Sequence, residues 1–265
     1  QRRLIALLKE KRQAVISHAV TKGLNPDAPL KPSGIDWLGD IPEHWELVQL
    51  RRIVSQIFNG LTANQVDPGA ATVPVTRIES ISRGVIDYER VGYIHESDAR
   101  EDHRIHEGDI CFSNINSLRR IGNCARYEGG TRIYAGMNVL IIRPDMAVQS
   151  HWFFDLMRSS QFRLEVESRA KPAINQASIS QSSLLSIAVP VPPRREQASI
   201  VEYIATQIEK VDALISEAET AIDLLQERRS ALISAAVTGK VDVRGEAVEE
   251  QREQSLEAIE ASVGT

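Results

Sequence analysis

Between Ser113 and Asn123 the chain reads SNINSLRRIGN, a short stretch that holds Ser113, Asn114, Asn116, Ser117, Arg119, Arg120 and Asn123. An Arg fork matches the O6 and N7 acceptors of guanine, and Asn or Gln matches the acceptor and donor of adenine. Such a set between two strand-like runs is therefore chemistry for reading base edges in a DNA groove. The same residue types recur in RAKPAINQASISQSS, with Lys171, Asn175, Gln176 and Ser178, and in TRIESISRG, with Arg77, Ser80 and Arg83. Turns also favour Asn and Ser for backbone reasons, so spacing alone leaves a structural use open beside the functional one. Tyr127 and Tyr134 are expected in the core.

Bond-making chemistry has no comparable set. The sequence holds no GxxxxGK[ST] phosphate loop and no Asn/Asp-Pro-Pro-aromatic methylation motif, for Asn25 opens only NPDA. No nucleophile–base pair or pair of carboxylates stands out. His103 and His106 have HxxH spacing without a third ligand cluster nearby, and a solvated loop without metal is expected. Cys111 and Cys124 are too few for a disulfide framework, which suits a reducing cytoplasm. No signal peptide or membrane-length apolar run is present, so no membrane partner is expected. These readings suit a reducing cytoplasm and single out no catalytic constellation in the sequence.

The net charge of −5 argues at first against nucleic acid, but its distribution is uneven. Residues 1–24 carry net +5, residues 25–50 net −4, residues 51–193 net +1 and residues 194–265 net −7. Fifteen of the sixteen basic side chains in 51–193 are Arg, and Lys171 is the other. Arg suits bidentate recognition of phosphate and guanine, whereas Lys acts as a point charge.

The elements that must position these residues follow from periodicity. Residues 4–20 are predicted as a helix, and the Pro-rich stretch to residue 50 as an extended connector in which Trp37 and Trp45 dock onto the neighbouring domain. TVPVTRI, GVIDYERVGYI, GDICFS, CARYEGGTRIY and NVLIIRP read as strands, and SHWFFDLMRSSQFRLEVESRA as one helix. From residue 194 onward a Gly-free run places Val201, Ile204, Ile208, Val211, Ile215, Ala218, Ile222, Leu225, Arg229, Leu232 and Ala236 at heptad a and d positions, a coiled-coil signature. About 44 residues of helix span roughly 66 Å, so the seam needs another helix. A repeat supplies the context. Ile5, Leu7, Leu8, Glu10, Arg12, Ala14, Ile16, Ser17, Ala19, Val20 and Thr21 each recur 217 positions later (Glu227 − Glu10). The first copy then has Ile5, Leu8, Arg12, Val15 and Ala19 as its seam, with the polar Arg12 matching Arg229. We expect two copies of one unit, with the chain cut from a longer protein.

KRQAVISHAVTKGLNPDAPLKPSGIDWLGDIPEHWEL, VPVTRIESISRGVID, HEGDICFSNINSLRRIGNCA and LLSIAVPVPPRREQASIVEYI together resemble the specificity subunit of type I restriction–modification systems, over about residues 4–240. The resemblance implies the C-terminal half of such a subunit: an α+β fold in which a mixed α/β target recognition domain is followed by a long coiled-coil helix. The end of a second, antiparallel helix would form the N-terminus. The expected segments are 1–22 (end of the central helix), 23–50 (connector), 51–193 (recognition domain), 194–240 (distal helix) and 241–265 (acidic tail). It further implies double-stranded DNA as ligand and methylation subunits as partners, with restriction subunits reached through them. S-adenosylmethionine would sit on the methylation partner. The coil would pair with a second half-subunit or a second copy. The resemblance thus implies a non-catalytic chain with no cofactor of its own. The alternative readings of the residues are a coiled-coil assembly module whose α/β domain binds protein, which the acidic helix favours, and an enzyme with an unrecognised site.

Overall fold

The computed structural model describes residues 2–238, so the acidic tail expected over 241–265 lies outside the described residues. The elements in chain order are α1 (Arg2–Lys22), β1 (Leu30–Pro32), β2 (Asp40–Pro42), β3 (Glu46–Gln49), β4 (Val54–Asn59), β5 (Thr72–Val75), β6 (Gly92–His95), β7 (Ile110–Ser113), β8 (Ile115–Asn116), β9 (Cys124–Arg126), β10 (Val139–Pro144), α2 (Ser150–Met157), α3 (Ser160–Arg169), β11 (Lys171–Ala173), β12 (Gln176–Ser178), α4 (Gln181–Leu185), β13 (Ala188–Val191) and α5 (Arg194–Val237). The fold is α+β, with helices at both ends. The described residues divide into a unit over Lys9–Lys210 and a smaller unit of residues 2–8 with 211–238.

The larger unit is built on an antiparallel sheet in the order β4-β10-β7-β9. Its central strands are continuously apolar because both faces are covered. Leu140 lies opposite Phe112 and Ile142 opposite Ile110, while Ile141 faces Cys111. Leu140, Phe112, Ile142 and Ile110 enter one core with Trp152, Phe153, Leu156 and Phe162 from α2 and α3. Ile141, Cys111, Val139 and Ala125 enter a second core with Ile81, Ile105, Tyr127 and Ile133. Tyr134 is also fully buried, so both tyrosines are core residues as expected.

Local chemistry overrides the sequence expectation at several points. The single helix expected over residues 150–170 is two helices. The Ser159 hydroxyl accepts from the Phe162 amide and donates to the Leu156 carbonyl, closing α2 and capping α3 together. Only the last three residues of GVIDYERVGYI are strand, because the Asp87 carboxylate accepts from the Glu89 amide and turns the chain at residues 88–90. The connector expected to lack elements carries three short strands. β1 pairs with β2, and β3 pairs with β13 with Glu46 opposite Val191. β4 pairs along β10, although its sequence VSQIFN gives little strand signal.

Trp37 and Trp45 do dock the connector. Trp37 meets Phe162 edge-on at 6.4 Å. Trp45 is fully buried, and its indole N–H donates to Glu196 Oε2 at 3.0 Å, an oxygen that also meets the His44 ring at 2.8 Å. The next turn of α5 is tied in as well, for Gln197 Oε1 accepts from the Gln149 amide and its Nε2 donates to the Pro192 carbonyl. The start of α5 is thus fixed by named hydrogen bonds rather than by apolar contact alone.

Along α5 the predicted seam is the covered stripe. Ile204, Val211 and Ala218 are buried and Val201, Ile208, Ile215 and Ile222 half-buried, whereas Leu225, Arg229 and Leu232 are exposed. In α1 the expected seam residues Leu8 and Ala19 are buried and Ile5, Arg12 and Val15 half-buried, but near the C-terminus the buried surface extends beyond the seam. There Val15 is half-buried while Ile16 and Val20 are fully buried, because the helix end sinks into the core of the larger unit, with Ser17 bonded to Ser160.

Replacing Glu196 by Ala leaves the Trp45 indole N–H buried without an acceptor, which costs about 1–3 kcal/mol. Chemical denaturation of the variant is expected to show that loss. An unchanged midpoint would mean that the Trp45–Glu196 contact does not fasten the helix.

Candidate nucleic-acid interface

The loop that follows β7 is built from its neck outward. The Ser113 amide donates to the Asn123 carbonyl at 2.8 Å, and the Gly122 amide returns a bond to the Ser113 carbonyl at 2.9 Å. Gly122 has φ +81° and a Cβ there would lie 3.3 Å from Val166, so the return needs glycine. Fully buried Ile121 plugs the loop into the core. Above it the Arg120 and Ile121 amides both donate to the Ser117 carbonyl, a single helical turn. Arg163 of α3 braces this turn from below, donating to Asn123 Oδ1 at 2.8 Å and to the Arg119 carbonyl at 2.9 Å. The turn therefore presents Ser117, Leu118, Arg119 and Arg120 to solvent on a fixed backbone.

Strand pairing brings in the second candidate segment. β12 pairs with β8, with Ala177 opposite Asn116 and Ser178 opposite Ile115, and β11 pairs with β12. The Ile179 amide also donates to the Asn114 carbonyl at 3.0 Å. Between β11 and β12 a two-residue turn places Asn175 at φ +59°, a region that Asn tolerates better than most residues. Lys171, Asn175, Gln176 and Ser178 are all exposed on this hairpin. The third segment reaches the same face at one edge. Ile78, Glu79, Ser82 and Arg90 line a cleft of about 320 Å³ together with Asn116, Arg120 and Asn123.

The charges on this face are unequal. Arg77 lies 3.8 Å from Glu79, Arg83 3.8 Å from Asp87 and Arg90 3.3 Å from Asp87. By contrast, among the described residues no carboxylate pairs with Arg119, Arg120 or Lys171. Two of the residues expected to touch DNA are turned inward instead. Ser80 is fully buried, its hydroxyl closing a turn onto the Arg77 amide and carbonyl. Ser113 is also fully buried and accepts from Asn116 Nδ2. Asn114, Asn116 and Asn123 are half-buried, and the side chains of Asn116 and Asn123 are engaged within the loop. Arg163 and Arg90 were missed by sequence reasoning. Arg163 bonds partners about forty positions away, which no local pattern encodes.

Cys111 and Cys124 point to opposite faces of the sheet, and burial pushes the Cys124 thiol up to about 12 and Cys111 higher still, so both stay protonated. The His103 ring bonds Asp102 and lies edge-on to Phe58, and no group of three or more metal-ligating side chains occurs among the described residues. No described helix is long and apolar enough to cross a membrane.

The family model for the type I restriction modification DNA specificity domain matches residues 42–223, about two-thirds of the chain. The chain belongs to that family. Among its relatives, a putative type I restriction enzyme MjaX specificity subunit of Methanocaldococcus jannaschii is 35% identical over 206 residues, covering 76% of this chain and 47% of its own length. The chain spans about half the length of the curated relatives it matches. A chain from a solved type I R-M system assembly superposes with a TM-score of 0.62 at 17% identity, covering 89% of this chain and 54% of that one. The HsdS subunit from Thermoanaerobacter tengcongensis does so with 0.54 at 19% identity, covering 91% and 54%. These two show that the fold is that of specificity subunits.

If Arg163 holds the turn in place, Arg163→Ala is expected to raise amide hydrogen exchange at residues 119–123 severalfold, with a loss of about 1–2 kcal/mol from its two hydrogen bonds. Unchanged exchange there would show that the turn is held without it.

Proposed function

We propose that this chain reads one half of a bipartite DNA target for a type I restriction–modification complex and does no chemistry itself. The observation that carries the reading is the joined face. Two segments about sixty residues apart are paired into one small sheet, with a third at its edge, and this face holds Arg119, Arg120 and Lys171 without carboxylate partners among the described residues. Cations left unneutralised on a rigid backbone suit phosphate and guanine, and the neighbouring Asn175 and Gln176 suit adenine. An overall charge of −5 is compatible with this, since the acidic excess lies largely in residues 194–265. Among the candidate residues, Arg119, Arg120, Lys171, Asn175 and Gln176 are the primary DNA contacts in this reading, with Ser117 and Ser178 beside them.

In the same proposal α5 sets the distance between the two halves of the target and docks methylation subunits, which bring S-adenosylmethionine and link to restriction subunits. Its exposed Leu225, Leu232, Ile233 and Val237 suit a partner helix, supplied by a second half-subunit or a second copy. Those exposed residues also fit the second reading, a coiled-coil assembly module whose domain binds protein. The two readings separate at the Arg residues.

Arg119→Ala with Arg120→Ala is expected to lower affinity for target duplex at least tenfold. It should reduce the slope of log affinity against log salt by about 0.9 for each phosphate that the protein no longer neutralises. Salt titrations by fluorescence anisotropy measure both, and equal affinity and slope would favour the protein-binding reading. Separately, Leu225→Glu with Leu232→Glu is expected to abolish association through the coil in sedimentation experiments while leaving the thermal midpoint of the larger unit unchanged. Association that survives both substitutions would place the partner elsewhere.

A further inference from the structure

The hairpin of β11 and β12 ends in Ile174-Asn175, and Ile174 is 94% exposed. Hairpin tips take Gly, Asn or Asp because the backbone demands it, and Asn175 meets that demand with φ +59°. Nothing in the turn requires a β-branched apolar residue at the position before it. The strands behind the tip explain its direction. β8 runs antiparallel to β12 with Asn116 opposite Ala177, so the chain leaving β8 through Ser117 and Leu118 travels toward the same end as the hairpin tip. Leu118 is 51% exposed there, next to Arg119 and Arg120. One end of a three-stranded ribbon thus gathers two exposed apolar side chains with Arg119, Arg120, Asn175 and Gln176. A protein interface core is depleted of charge. An apolar tip beside Arg119, Arg120, Asn175 and Gln176, with no carboxylate paired to either Arg among the described residues, instead matches the DNA major groove, which admits a two-stranded ribbon. Its only apolar feature is the C5-methyl group of thymine.

We infer that the β11–β12 hairpin enters the major groove tip first and that Ile174 reads a thymine through its 5-methyl group. This rests on the DNA-reading proposal above. It adds a position of the target that is specified by apolar contact rather than by hydrogen bonds. Ile174 is then a specificity-determining residue, and Lys171, at the far end of β11, holds the ribbon to the flanking phosphates.

The test uses the full chain assembled with its methylation partner. Selection from random-sequence duplex pools supplies the target, and each thymine in it is then replaced singly by deoxyuridine, which lacks only the methyl group. For the unaltered protein, one such replacement is expected to weaken binding by about three- to tenfold, the range for removing one or two buried methyl contacts. Ile174→Ala is expected to bind the thymine and deoxyuridine duplexes equally, while Ile174→Val keeps most of the discrimination. The substitutions lie at an exposed tip, so the thermal midpoint should not move. A selected motif without thymine, or an Ile174→Ala protein that still discriminates, overturns the inference while leaving the DNA-reading proposal standing. Weaker capture of the methylation partner by Ile174→Ala, with DNA discrimination intact, would make the tip a protein contact and also overturn it. Failure to select any motif overturns the DNA-reading proposal and this inference together.

Discussion

Two residue pairs, Ala177 opposite Asn116 and Ser178 opposite Ile115, decide whether this chain has a recognition surface or only separate loops. So short a ladder is marginal by itself. It holds because each partner is anchored elsewhere. On one side Ile121 is buried and Arg163 bonds the turn above it. On the other, Ala177 and Ile179 are buried in the main core, one on each side of Ser178. The polar side chains between these anchors can then stay exposed without the backbone becoming loose. Fixed donors on a supported backbone are what base reading requires, since a donor misplaced by an ångström loses most of its discrimination.

Electrostatics follow the same arrangement. Basic and acidic side chains nearly balance over 51–193, so composition gives no sign of a DNA-binding face. Folding sorts them. Arg77, Arg83 and Arg90 are set against Glu79 and Asp87, Arg143 forms two bonds to buried Asp109, and Arg158 bonds buried Asp155. Those pairs serve the domain. The residue types of Arg119, Arg120 and Lys171 are ordinary, and what sets them apart from most basic residues of 51–193 is the absence of carboxylate partners among the described residues, which they share with Arg51 and Arg52 at the start of that region. Partially exposed pairs contribute little to stability, but they do remove a cation from the field that an approaching phosphate meets.

The parts of this structure legible in the sequence are those whose cause is local or strictly periodic. NVLIIRP and GDICFS announce doubly covered strands, and the heptads of α5 mark its covered stripe as far as Ile222. The candidate residues stood out by type, because clustered Asn and Arg between strands are uncommon. Which of them are exposed was not. Ser80 and Ser113 have the right hydroxyls and are spent on closing turns, a fate set by where the chain folds back rather than by neighbours in sequence. The β3–β13 pairing and the Arg163 brace were hidden for the same reason, since their partners lie far along the chain. The break between α2 and α3 could have been read from Ser159, whose residue type is a helix cap in a run that otherwise looks continuous.

The measurement that bears most directly on this account is selection of bound duplexes from a random-sequence pool, with the methylation partner present, followed by sequencing of what is retained. The account predicts a short fixed motif, one half of a bipartite site for a single domain or a symmetric pair of halves for a dimer. Retained DNA with no common motif, at salt low enough for binding to occur, would contradict it and leave the coiled coil as the functional part of the chain.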